Sequence, residues 1–75
     1  MAQNVSGKSL SQIAGDNLRK QIASAGYTQE QFADLIGVDA RTIRRWIRYF
    51  PGLDQLQICV KVLNIPVTEF FDTTS

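Results

Sequence analysis

The chain has 75 residues, room for one domain but not two, and a core of that size leaves little space for a buried catalytic cavity. Apolar residues at 44% and charged residues at 20%, with only five glycines and two prolines, exclude a chain that is disordered throughout. A single cysteine and no histidine exclude a disulfide framework, a Cys/His metal set and an imidazole base, so neither a cofactor nor enzyme chemistry is expected; the net charge of +1 decides nothing until its distribution is read.

Residues 1–8 (MAQNVSGK) are small and polar and read as a flexible N-terminal arm, with residues 9–75 as the folded domain. The arm has no apolar run, and nowhere does the chain approach the roughly 18 continuous apolar residues of a membrane span. The expected setting is therefore the cytoplasm. From Ser9 onward Leu10, Ile13, Ala14, Leu18, Ile22 and Ala25 recur at spacings of three and four, which predicts a helix. Ser9 and Gln12 can form a capping box at its start, and Gly26 can end it.

Thr28 and Gln31 repeat the capping box, and Tyr27 can staple onto Phe32, so a second helix is expected over about Gln29–Ile36. Gly37 permits a tight turn and Asp39 is a good cap for a third helix over about Ala40–Phe50. Pro51 and Gly52 stop that helix, and Leu53, Leu56, Val60 and Leu63 predict a fourth ending near Asn64. Pro66 precedes a last short turn, Val67 to Phe71. No segment alternates with the period of a strand, and the expected class is all-α, a compact bundle of four to five short helices.

The third helix holds the candidate functional residues. At about 100° per residue, Ile43, Trp46, Ile47 and Phe50 gather on one side, and Arg41, Arg44, Arg45 and Arg48 on the other. Arginine can bond guanine O6 and N7 with both arms of its fork and can also pair with phosphate, so a cationic ridge on an exposed helix suits a DNA major groove. The plainer reading is a solvated charged face. Trp46 and Cys59 are read as core, a tryptophan on the apolar side of a helix and a lone helical cysteine being packing residues as a rule.

The stretch Gln29 to Trp46 (QEQFADLIGVDARTIRRW) resembles the helix-turn-helix of the lambda-repressor-like, or Cro/C1-type, family. Ala33 stands where the two helices approach, Gly37 in the turn, Val38 and Ile43 between the helices, and Trp46 where the space closes. The resemblance extends over about Leu10 to Phe71. It implies that the first turns of the third helix, Ala40, Arg41, Arg44 and Arg45, contact bases, with Ala40 against a thymine methyl, and that Gln29 anchors a phosphate. Thr42, Arg48 and Tyr49 are further phosphate candidates. Two features depart from the family: Ile47 stands where an acidic residue is common, and the connection from Trp46 to Pro51 is about two residues shorter, so Lys8 in the arm is a substitute candidate for a backbone contact.

The implied function is sequence-specific binding of double-stranded DNA by a transcriptional regulator, with repression expected, as a homodimer on two half-sites. Val67, Phe70 and Phe71 are the candidate dimer surface, with one of the two rings expected inside. An antitoxin that also holds a protein toxin, or a protein-interaction module on the same fold, is the alternative.

Overall fold

A computed structural model describes residues 8–73. Four helices follow one another, α1 (Leu10–Ser24), α2 (Gln29–Ile36), α3 (Ala40–Arg48) and α4 (Leu53–Leu63), and a 3₁₀ turn (Val67–Phe71) closes the described chain; among the described residues there is no strand. The expected arm lies outside the described residues except for Lys8, which is ion-paired with Asp16 on α1 and so is already committed to a carboxylate.

Local chemistry sets where the helices start. Ser9 Oγ accepts the Gln12 N–H at 3.2 Å while Gln12 Oε1 accepts the Ser9 N–H at 2.9 Å, and Thr28 and Gln31 form the same reciprocal pair at 3.0 and 2.9 Å. Each box satisfies two backbone donors that a helix start otherwise leaves open, and such a cap is worth about 1 kcal/mol. The Tyr27 and Phe32 rings lie 6.3 Å apart, as a staple requires. Gly26 at φ 87° follows the last residues of α1, and α4 ends on Asn64, also left-handed at φ 57°.

The core draws on every element: Leu18 and Ile22 from α1, Phe32 and Ala33 from α2, Ile43 and Trp46 from α3, Leu56 and Cys59 from α4, then Phe50 and Phe70. Burying a side chain of the larger kinds stabilises the fold by about 1.5–3 kcal/mol. Cys59 behaves as a small apolar residue, its thiol pushed up to about 12 by burial and thus protonated at neutral pH.

Three expectations are corrected. The third helix ends at Arg48 rather than near Phe50, because Pro51 disfavours helical backbone at Phe50 and the chain turns extended at Tyr49 (φ −156°, ψ 101°). That exit drops the Phe50 ring into the core, 5.9 Å edge-on from Trp46 and 5.7 Å from Phe70, while its N–H donates to Ser11 O at 3.1 Å. Leu10 and Leu53, placed by spacing on the apolar stripes, instead stand 69% and 74% exposed at the first positions of α1 and α4. Phe70, a candidate for the dimer surface, is 0% exposed, whereas Phe71 is 40% exposed. Only Phe71 of that pair is available to a partner.

Two residues not singled out by periodicity hold the helices in place. Gly15 sits where α1 crosses the end of α3, so close that a Cβ on it would lie 2.2 Å from the Ile47 carbonyl oxygen. Asn17 is buried, and its Nδ2 donates to Phe70 O at 2.8 Å and Asp72 O at 3.0 Å, tying the C-terminal turn to α1. Both carried a signal in the sequence: an isolated glycine inside a helical pattern, and a polar residue one position before Leu18 on the buried stripe.

Candidate nucleic-acid interface

The site is built from α2, the turn and α3. Ala33 is small and buried, so α2 can approach its neighbour closely, and its carbonyl accepts both the Gly37 N–H at 2.9 Å and the Val38 N–H at 3.0 Å. This closure needs the left-handed backbone that Gly37 adopts at φ 83°. Val38 packs against the core, and Ile43, fully buried, fixes which side of α3 faces inward.

Asp39 caps α3, its Oδ1 accepting both the Thr42 N–H and the Thr42 hydroxyl at 3.0 Å. Those two bonds, first the backbone and then the side-chain one, hold the Asp39 carboxyl below its ordinary value, and the Arg41 and Arg44 charges lower it further. A lowered folded-state value means that the cap stabilises at neutral pH and is lost as pH falls through that value. Thr42, a phosphate candidate, is thereby engaged with Asp39 through both its N–H and its hydroxyl. A phosphate oxygen, which only accepts, would compete with Asp39 for that hydroxyl proton.

With Ile43 and Trp46 turned inward, Arg41, Arg44, Arg45 and Arg48 are all exposed. Among the described residues the salt bridge formed is Lys8 with Asp16, and the Arg41 and Arg44 charges act on the Asp39 carboxyl from beyond salt-bridge distance. Arg45 and Arg48, in the last turn, also complement the negative end of the helix dipole. Ala40 is half-buried at the first position of α3, and Tyr49 is exposed where the helix ends.

Gln29 is half-buried at the first position of α2. Thr28 takes the Gln31 N–H, and among the described residues no protein acceptor takes those of Gln29 and Glu30. Two backbone donors at the positive end of a helix can hold an anion's oxygen. Glu30 and Asp34 on α2 are exposed.

Among the described residues there is no group of three or more His, Cys, Asp or Glu that could hold a metal ion, and no helix is long and apolar enough to cross a membrane. Comparison with known families gives a match to helix-turn-helix over residues 18–70, which spans all of α2, α3 and α4. No curated protein and no solved structure matches the chain.

Proposed function

The chain belongs to the Cro/C1-type, lambda-repressor-like helix-turn-helix family of DNA-binding domains, and from that premise we propose that it is a sequence-specific transcriptional regulator that represses by occupying an operator. The observation that carries this reading is the set of four exposed arginines on the outward side of α3, none of which forms a salt bridge among the described residues. Arg41, Arg44 and Arg45 face the groove floor and walls, and Gln29, Arg48 and Tyr49 supply backbone contacts. Residues 9–75 form the binding unit, in a reducing compartment that holds DNA. Titration of labelled duplex DNA is the test: affinity falls linearly in log–log form with added salt, and an Arg41→Ala, Arg45→Ala double variant loses about 2–6 kcal/mol while its circular dichroism stays unchanged. Equal binding by wild type and double variant would remove α3 from the interface.

One helix of this size reads about four or five base pairs, too few to select a genomic site, so the operator is bound by two copies on half-sites about 34 Å apart. Their contact surface is the apolar groove lined by Leu10, Pro51, Gly52, Leu53 and Phe71, with Val67 exposed on the same terminal turn as Phe71. Protruding Leu10, Leu53 and Phe71 beside a groove give one patch both projection and hollow, which a two-fold contact requires of a single surface. A few such side chains cover less than the roughly 800 Å² per partner of a stable interface, so the dimer is weak in solution and forms on DNA. Phe71→Glu weakens cooperative operator binding and leaves the monomer folded. Unchanged cooperativity in a gel-shift series, with a dimer still seen by light scattering, would exclude this surface; capture of a different protein there would favour the antitoxin reading.

A further inference from the structure

Buried Ile43 and Trp46, with half-buried Ile47, set the inward direction of α3. At about 100° per residue, Arg41, Arg45 and Arg48 lie within about 35° of the opposite direction, whereas Arg44 lies about 70° from it, on the flank that also holds Ala40. A major groove is about 12 Å wide and a helix with its side chains about 10–12 Å across. Side chains pointing straight outward therefore meet the base edges, and those on the flank meet the phosphate wall.

Arginine offers five donors and no acceptor. Guanine alone presents two adjacent acceptors, O6 and N7, in the major groove; adenine pairs an acceptor with a donor, thymine one acceptor with a methyl, and cytosine a donor. The outward line of α3 holds no carboxylate and no amide that would suit cytosine or adenine. At about 1.5 Å rise per residue, Arg41 and Arg45 are separated by about 6 Å along the axis, close to two steps of about 3.4 Å. Arg48, a further turn on, lies at the end of a straight helix from which the curving groove floor recedes.

Resting on the DNA-binding reading above, we infer that Arg41 and Arg45 read two G·C pairs lying two steps apart in each half-site, and that Arg44 holds a phosphate rather than a base. The test is selection of the full chain on a randomised duplex pool, followed by dimethyl sulfate interference at guanine N7 on the recovered site. The expected motif contains the spaced G·C pair, methylation of either guanine blocks binding, and replacing one costs the wild type about tenfold to a hundredfold in affinity. Arg41→Ala loses the preference at one of the two positions and Arg45→Ala at the other. Arg44→Ala keeps the motif, binds more weakly to every sequence, and reduces the salt slope by about 1. A selected motif without the spaced pair, or loss of a base preference in Arg44→Ala, overturns this inference and leaves the regulator reading intact. A pool with no enriched motif overturns both.

Discussion

Gly15→Ala is expected to cost the fold about 3 kcal/mol or more, although the same change in an ordinary helix interior would gain about 1 kcal/mol. The added Cβ would lie 2.2 Å from the Ile47 carbonyl oxygen, 2.8 Å from the Ile47 carbonyl carbon and 2.8 Å from the Trp46 carbonyl oxygen. All three are backbone atoms, so no side chain can rotate away. To admit the methyl group, α1 must lift from the end of α3, and that loosens Trp46 and Phe50 beneath it. Set against a total of roughly 4–11 kcal/mol for a domain of this length, such a loss leaves little stability. It also acts on function, because the same crossing holds the arginine-bearing helix in position. Urea unfolding followed by circular dichroism measures the effect, and a midpoint equal to or above wild type would show that the two helices do not touch at Gly15.

Phe70→Ala is expected to destabilise by about 3–5 kcal/mol, the range for removing a buried aromatic ring. Phe70 is 0% exposed, its ring lies 5.7 Å from that of Phe50, and its carbonyl accepts from Asn17. Its neighbour Phe71 is 40% exposed, and Phe71→Ala should shift stability by much less than the change at position 70. Thermal melts of the two variants side by side separate core from surface. Losses of similar size would mean that both rings are packed alike and would withdraw Phe71 from the proposed dimer contact.

The contrast between Phe70 and Phe71 is set by tertiary contact, not by local pattern. Helix starts were legible because a capping box is complete within four residues: Ser9 with Gln12, and Thr28 with Gln31, need no distant partner. The turn was legible for the same reason, since Gly37 answers to its own backbone conformation. The arginine ridge followed once Ile43 and Trp46 were assigned inward, because one buried side of a helix fixes the other. What local pattern does not specify is tertiary contact. Adjacent phenylalanines are equivalent until the terminal turn is docked, and that docking depends on Asn17, 53 residues away from Phe70. Leu10 and Leu53 match the helical period but occupy helix starts that no element among the described residues covers. The engagement of Thr42 was within reach, for Asp39 three residues earlier is the spacing at which a cap meets the side chain as well as the N–H.

On the proposed function, the outward side of α3 meets DNA. Nuclear magnetic resonance titration of the isotope-labelled full chain with a duplex carrying its selected site tests it most directly, because backbone amide and arginine Nε–H signals report residue by residue. The largest changes are expected at Ala40, Arg41, Arg44 and Arg45, with further changes at the Gln29 and Glu30 amides. Changes confined to the groove of Leu10, Leu53 and Phe71 or to the outer side of α4, with the Arg41 and Arg45 signals unmoved, would contradict it.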